Sequence, residues 1–353
     1  MAAGRRAIAA LAGAGLTVGL AGALTRFVRG TMTYAERDAT TIAAAGFVEK
    51  QTTIDGSRVI YAEGPDNGPA LLLIHGQITD WRSWSRVLPS LAERYHVFAV
   101  DCYGHGGSAW VPEKYTAKAL AADMVTFLDQ VVGRPATIAG HSSGGLIAAA
   151  IAAQAPDRVR GVVLEDPPFF ATLLPRAKQT FNYITLATLA HEFLDSGEDD
   201  FVAYHLRHSA FWDLFGGLRE KLQESAIAYH ESHPGEPVRI FWMPPSLNEL
   251  FRAMDSYDPR FGEAFYTGSF DEGFDHADTL SRITVPVAQI HVKPRYDSAG
   301  ILQAAMSDDE AERARSLLAD VELYRANTGH NFHFDDPRRF VRIVDDLERR
   351  VRA

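Results

Sequence analysis

Short apolar runs alternate with amphipathic segments along most of the chain. The runs are predicted strands, because a strand buried on both faces of a sheet is hydrophobic at nearly every position. They lie at residues 57–62, 70–74, 96–100, 136–139, 159–164, 285–290 and 321–324. Helical periodicity is found at residues 84–94, 118–132, 145–154 and 337–351. Strands that alternate with helices predict an α/β fold, in which a mostly parallel sheet is flanked by helices.

One long insertion interrupts this alternation. Residues 167–280 contain no convincing strand, yet they hold 20 of the chain's 37 aromatic residues. Amphipathic helical stretches are predicted at 193–212 and 218–229. We expect the insertion to form a helical cap whose inner face lines an apolar pocket over the sheet. The domain is then expected to cover residues 31–353, with its core at about 47–166 and 281–353 and its cap at about 167–280.

The first 30 residues (1–30) differ from the rest. Residues 7–24 contain no charged side chain, and arginines flank the run on both sides. As a helix, the run would be roughly 27 Å long at about 1.5 Å per residue, close to the thickness of a bilayer's hydrocarbon core. A signal peptide with a cleavage site near residues 21–23, an uncleaved membrane anchor and an apolar extension before Met32 all fit. We expect a secreted or membrane-anchored protein, with membrane association through residues 7–24; a cytoplasmic location is the alternative.

Composition and charge disfavour several classes of function. The 353 residues include 35 basic and 45 acidic side chains, a formal net charge of −10. This balance argues against nucleic-acid binding, which needs a basic face. Cys102 is the single cysteine, so the chain can form neither an intrachain disulfide nor a zinc site built from several thiolates. No metal and no organic cofactor is predicted, and the oligomeric state stays open.

Residues 140–144, Gly-His-Ser-Ser-Gly, carry the predicted chemistry. This G-x-S-x-G element follows a predicted strand and opens a predicted helix, the context in which a nucleophilic serine sits on a sharp turn. Glycines on both sides let neighbouring backbones approach without a Cβ clash. Ser142 is the central residue, because a motif centred on Ser143 would require glycine at 141, where the chain has histidine. We therefore predict that Ser142 is the nucleophile.

This element and three further segments resemble the α/β-hydrolase superfamily over roughly residues 47–352. Residues 75–77, His-Gly-Gln, resemble its oxyanion loop. Residues 101–108, Asp-Cys-Tyr-Gly-His-Gly-Gly-Ser, resemble its D-x-x-G-x-G-x-S turn. Residues 329–333, Gly-His-Asn-Phe-His, resemble the loop that carries the catalytic histidine before the last helix. The resemblance implies the α/β-hydrolase fold and a Ser-His-acid triad.

The resemblance also implies which residues fill the other roles. A serine hydroxyl is a poor nucleophile until a base takes its proton, and His330 directly follows a glycine, as the base does in the family. His333 is the competing base. The tetrahedral oxyanion needs preorganised donors, for which we predict the backbone N–H groups of Gln77 and Ser143. His141 is expected to line the pocket.

Three carboxylates compete for the role of catalytic acid. In much of the superfamily the acid follows the strand that corresponds here to residues 285–290, which nominates Asp297, although the spacing is a little long. A minority of the superfamily places the acid after the preceding strand, which here ends in Glu165 and Asp166. Asp166 lies 24 positions after Ser142 and matches that arrangement. We prefer Asp166, and keep Asp297 and Glu165 as alternatives.

Finer features are similar to bacterial zearalenone-type lactone hydrolases. They are Ser-Ser-Gly-Gly at 142–145, Glu-Asp-Pro-Pro-Phe-Phe at 165–170, and Tyr-Asp-Pro at 257–259 with Gly262 and Phe265. This resemblance implies cleavage of a carboxylic ester or lactone of a bulky hydrophobic substrate. Ser142 argues against epoxide hydrolases and haloalkane dehalogenases of the same fold, which use an aspartate nucleophile. A carbon–carbon bond hydrolase and a non-catalytic small-molecule-binding protein of this fold are the alternatives.

Overall fold

A single sheet of eight strands organises residues 25–352, the part of the chain that the computed structural model describes. Its strands are β1 (Val48–Ile54), β2 (Ser57–Glu63), β3 (Ala70–Ile74), β4 (His96–Val100), β5 (Ala136–His141), β6 (Val159–Glu165), β7 (Val287–Val292) and β8 (Val321–Ala326). Their order in the sheet is β1-β2-β4-β3-β5-β6-β7-β8. Neighbours from β4 to β8 pair in parallel, whereas the β1–β2 and β2–β4 pairs are antiparallel. The predicted fold, a mostly parallel α/β sheet, is confirmed.

The described residues also form helices, some of which cover the two faces of the sheet. They are α1 (Tyr34–Ala44), α2 (Leu88–Ala92), α3 (Ala117–Phe127), α4 (Ser143–Gln154), α5 (Thr188–Ser196), α6 (Phe201–His208), α7 (Arg219–Ser232), α8 (Pro245–Arg252), α9 (Pro259–Thr267), α10 (His276–Ser281), α11 (Asp308–Leu317), α12 (Phe332–Asp335) and α13 (Pro337–Arg352). Residues 25–32 are also helical. Among the described residues, no helix combines the length and the apolar character needed to cross a bilayer.

The central strands are buried because apolar layers cover both of their faces. Along β3, Leu72 and Ile74 belong to the apolar layer that contains α3 and α4. Leu71 and Leu73, which point to the other face, belong to the layer that contains α2 and α13. Successive side chains of a strand point to opposite faces, so every residue of β3 can be apolar. This double burial places the carboxyl ends of the parallel strands at one protected edge.

Several elements differ from the pattern-based prediction. The helix predicted over 84–94 is a 3₁₀ segment, Trp81–Arg86, followed by the short α2. Strand β1 was not predicted, because it is an edge strand and only Ile54 of its seven residues is buried. Strand β7 begins two residues later than the run at 285–290 suggests. The helix predicted over 193–212 is interrupted: α5 ends before Gly197, whose φ is 74°, and α6 begins after the cap residue Asp200. Left-handed glycine is a common end of a helix.

Between β6 and β7 the described residues form helices and turns, which include α5 to α10. The first part of the predicted leader, residues 1–24, lies outside the described residues. The division of the chain into leader, core and cap therefore stays a prediction. The same holds for the boundaries of the cap, at about 167–280.

Candidate active site

Ser142 sits on a sharp turn between β5 and α4. Its φ and ψ are 54° and −123°, a conformation that a residue other than glycine rarely adopts. Its N–H donates to the carbonyl of Glu165 over 2.9 Å. A Cβ at Gly140 would lie 2.2 Å from the carbonyl oxygen of Gly144, and one at Gly144 would lie 2.3 Å from that of Ile74. The turn therefore requires glycine on both sides of the serine.

His330 and Asp166 form a hydrogen-bonded pair near this turn. His330 Nδ1 lies 2.7 Å from Asp166 Oδ2. The Asp166 side chain is fully buried, whereas that of His330 is 39% exposed. Val292 N–H donates to the other carboxylate oxygen, Asp166 Oδ1, over 3.1 Å. With Nδ1–H donating to the carboxylate, His330 keeps Nε2 free to accept a proton.

The surroundings of this pair favour an ionised acid and a more basic imidazole. Burial alone would raise the pKa of Asp166, but the nearby imidazole of His291 and the hydrogen-bonded imidazole of His330 outweigh burial and hold this pKa below its usual value. Burial alone would lower the pKa of His330, but the hydrogen bond and negative charge of Asp166 raise it. A carboxylate that orients an imidazole and stabilises its protonated form is what a general base requires.

Glu165 and His333, the alternative acid and the competing base, form a second pair. Oε1 of Glu165 accepts from the backbone N–H of His333 over 3.0 Å and lies 2.8 Å from its Nδ1. Both side chains are buried, and the His333 ring packs on Trp84 at a centroid distance of 4.1 Å. The pair lies in the interior and anchors the loop that carries His330. The two consecutive acids at the end of β6 thus each contact one histidine of that loop.

Asp297, the other alternative acid, is an exposed turn residue. Its Oδ1 accepts from the backbone N–H groups of Ala299 and Ile301, each over 2.9 Å. These bonds satisfy the carboxylate within its own loop. The structure therefore brings Asp166, and not Asp297, to His330.

The proposed oxyanion donors lie on both sides of Ser142. Ser143 is the first residue of α4, where backbone N–H groups lack helical partners and the helix dipole favours negative charge. Gln77 follows Gly76, at which an added Cβ would lie 2.9 Å from Ser142 Cβ. The loop of Gln77 thus passes in contact with the serine. Tyr257 OH donates to Gln77 Oε1 over 3.3 Å, which ties the insertion to this loop.

His141 does not line the cavity, contrary to prediction. It is buried, and its Nε2 lies 3.2 Å from the carbonyl oxygen of His330. Its ring lies 4.5 Å from that of His330 and 5.1 Å from that of His333, measured between centroids. Burial and the neighbouring histidines lower its pKa well below the usual value. His141 is therefore an uncharged side chain that packs against His330.

Ser142 and His330 both face one apolar cavity of about 230 Å³. Most of its walls come from the insertion and include Phe181, Leu186, Phe211, Leu250, Phe251 and Phe265. His205 is a polar member of the wall; burial lowers its pKa to about 4, so it is neutral. Such a cavity suits a bulky hydrophobic ligand whose reacting group reaches the serine.

Sequence reasoning missed two residues that support this site. His291, at the end of β7, has Nδ1 3.6 Å from Asp166 Oδ1 and Nε2 3.0 Å from Asp308. Arg252 in α8 donates to Asp80, which follows the loop of Gln77, over 2.7 Å and 2.9 Å. His291 could have been found from the sequence, because it is a polar residue at the end of a buried strand. The pair of Arg252 and Asp80 could not, because the two residues are far apart in the sequence. Within residues 25–352, no group of three or more histidine, cysteine or acidic side chains is arranged to hold a metal ion.

The chain belongs to the α/β-hydrolase family. The model of that family, described as alpha/beta hydrolase fold, matches residues 69–270, which include the predicted nucleophile turn and most of the insertion. The resemblance inferred from the sequence is thereby confirmed at the level of the superfamily.

Curated relatives match only part of the chain. It is 40% identical to pig bifunctional epoxide hydrolase 2 over 106 residues, which are 29% of this chain and 19% of that protein. It is 36% identical to the lipase LipV of Mycobacterium tuberculosis over 104 residues, which are 30% of this chain and 39% of that protein. The chain thus spans less than half the length of these relatives.

Solved structures match over most of the chain at low identity. The alignment with a bacterial membrane phospholipase A covers 96% of this chain and 98% of the phospholipase chain, with 23% sequence identity and a TM-score of 0.60. The alignment with an enol-lactonase from Burkholderia xenovorans covers 84% of this chain and 99% of the lactonase chain, with 17% sequence identity and a TM-score of 0.57. These likenesses establish the fold.

Proposed function

We propose that the chain is a serine hydrolase that cleaves a carboxylic ester or lactone of a bulky hydrophobic substrate. The observation that carries the proposal is the contact of 2.7 Å between His330 Nδ1 and Asp166. It gives the exposed histidine an oriented, more basic imidazole beside a cavity that Ser142 also lines. Nucleophile, base and acid are then Ser142, His330 and Asp166.

The reaction follows from these positions. His330 Nε2 takes the proton of Ser142 Oγ as this oxygen attacks the substrate carbonyl. The negative charge that develops on the carbonyl oxygen is accepted by the N–H groups of Gln77 and Ser143, a contribution of about 3 kcal/mol for each donor. Protonated His330 then gives its proton to the leaving alkoxide, and an acyl-enzyme forms. Water, deprotonated by the same imidazole, releases the acid and restores the serine.

The apolar cavity supports a hydrophobic acyl or alcohol part. Lipases, a phospholipase, an enol-lactonase and epoxide hydrolases are all among the similar proteins. A serine at the nucleophile turn favours esters and lactones over epoxides, because the acyl-enzyme needs a carbonyl to attack. The zearalenone-type lactones fit this class, and the fit rests on the sequence resemblance.

The test is turnover of a series of esters and lactones by the full chain and three variants. Ser142→Ala and Asp166→Asn should both lower kcat by about 10³-fold or more. Asp297→Asn is the matched control, since it makes the same change in an exposed turn, and it should retain activity. A serine-reactive phosphonate should label the native chain and Asp297→Asn but not Ser142→Ala.

Other outcomes would overturn the proposal. Loss of activity in Asp297→Asn alone would move the acid to the commoner position. Turnover confined to carbon–carbon bonds of 1,3-diketone-like substrates would assign the site to that class of hydrolase. Specific ligand binding by a folded chain, without turnover or labelling, would assign it to a binding protein.

A further inference from the structure

An exposed apolar surface lies at one side of the insertion. Leu214 and Leu218, in the 3₁₀ segment Ala210–Leu218, are 51% and 58% exposed, and Phe241 is 49% exposed. Single exposed hydrophobic residues are ordinary on protein surfaces, whereas several in one place mark an interaction site.

A contact between aromatic rings joins the two segments that carry them. Phe215 and Trp242 lie 5.1 Å apart between ring centroids, edge to face. Leu214 and Phe241 are the immediate chain neighbours of these two residues. The exposed side chains at 214, 218 and 241 therefore lie on two segments that are joined by a half-buried contact. We infer that they share one apolar surface.

The helical residues near the N-terminus lie beside the segment that carries Phe241. Arg239, two residues before Phe241, donates to the carbonyl of Met32 over 2.9 Å and pairs with Glu36. The segment that carries Phe241 thus abuts the helical residues 25–32. Phe27, which is 43% exposed, lies on these residues five positions before Met32. We call Phe27, Leu214, Leu218 and Phe241 the apolar rim.

The chain itself indicates what covers the apolar rim. Residues 7–24, which carry no charge, directly precede the described helical residues 25–32 in the sequence. Arg26 and Arg29 flank Phe27 and are exposed, although the net charge of the protein is −10. Apolar side chains bordered by arginines are suited to the boundary between acyl chains and anionic headgroups.

We propose that the apolar rim lies on a phospholipid bilayer. Phe27, Leu214, Leu218 and Phe241 enter the headgroup region, and Arg26 and Arg29 face lipid phosphates. The described part of the molecule then rests on the membrane through the insertion as well as through its N-terminus. The proposal concerns this surface alone and does not depend on the reaction proposed for Ser142.

The test measures the depth of single nitroxide labels in the full chain. Labels are placed with Leu214→Cys, Leu218→Cys and Phe241→Cys; the native Cys102 is buried, and the labelled native chain measures its background. Asp157→Cys is the control, because Asp157 is exposed in the turn before β6, at the edge of the sheet opposite Ser142. Collision of each label with oxygen and with a water-soluble nickel complex is recorded with and without phosphatidylcholine–phosphatidylglycerol vesicles.

We expect vesicles to lower collision with nickel several-fold and to raise collision with oxygen at the three rim positions, and to leave position 157 unchanged. Two results would overturn the proposal. One is unchanged collision at the rim in the presence of vesicles. The other is low collision with nickel at the rim already without vesicles, which would mean that a second copy of the chain or residues 7–24 cover it.

Discussion

His330 shows how one contact sets the pH range of a reaction. Its pKa is raised by Asp166, and a general base must be neutral before it can accept a proton. Activity should therefore rise with pH through an ascending limb whose midpoint lies above about 6.5, the ordinary value for histidine. The contribution of His330 to folding stability has the opposite sense: it is complete below about 6.5 and is lost as pH rises through the folded-state pKa.

The measurement is kcat/KM against pH for the native chain and for the residual activity of Asp166→Asn. Without the carboxylate, the imidazole loses the charge that raises its pKa, so the limb should move to lower pH. Two results would contradict the pairing of His330 and Asp166. One is a midpoint of the ascending limb at or below about pH 6.5 in the native chain, and the other is a midpoint that is the same in Asp166→Asn.

Single residues also show which features of the site could be predicted from the sequence and which could not. Ser142 could be predicted because its turn needs glycine on both sides, and this need is visible in the sequence. The partner of His330 could be narrowed only to three carboxylates, because a contact across 164 positions depends on strand order. The local sequence does not reveal that Glu165 contacts His333 instead, since both acids end the same strand.

The contact between the insertion and the core rests on a buried charge network. Arg252 of α8 binds Asp80 of the core and Glu249 of its own helix. Tyr34 of α1 donates to Glu249 over 2.7 Å. Removing the shared cation leaves Glu249 with only the hydroxyl of Tyr34 and Asp80 with the more distant Arg82, at 3.7 Å. Breaking a buried ion pair in this way is strongly destabilising. The positive charge holds three elements together.

Arg252→Met should therefore lower the free energy of unfolding by about 3–5 kcal/mol. Arg134→Met is the matched control, because Arg134 pairs with Asp66 on the surface, where the two side chains are 41% and 58% exposed. Its effect should be about 0–1 kcal/mol. Urea denaturation followed by tryptophan fluorescence measures both, and equal effects would mean that the buried network adds no stability.

The elements that the sequence predicted best are those with apolar layers on both sides. Runs such as Ala70–Ile74 and His96–Val100 match their strands residue for residue. Strand β1 escaped prediction because six of its seven residues are exposed or half-buried. The helices of the insertion were misjudged because Gly197 ends one helix inside a continuous amphipathic pattern. Periodicity reports burial, and it fails where burial is partial or where a turn interrupts it.

Several contacts hold the predicted cap on the core, and two of them involve buried charged side chains. One is the network of Arg252 and Asp80. The other is the buried Asp258, which accepts from Tyr115 OH over 2.7 Å and whose N–H donates to the carbonyl of Gly104 over 2.8 Å. Both sets of contacts would have to break before the insertion could move away from the sheet.

These contacts have a consequence for the time course of ligand binding. If the cap stays in place, binding of a ligand beside Ser142 is a single bimolecular step. The observed rate of association of a non-hydrolysable substrate analogue, followed by stopped-flow fluorescence, should then increase linearly with its concentration. A cap that opens first would limit this rate, which would level off at the rate of opening.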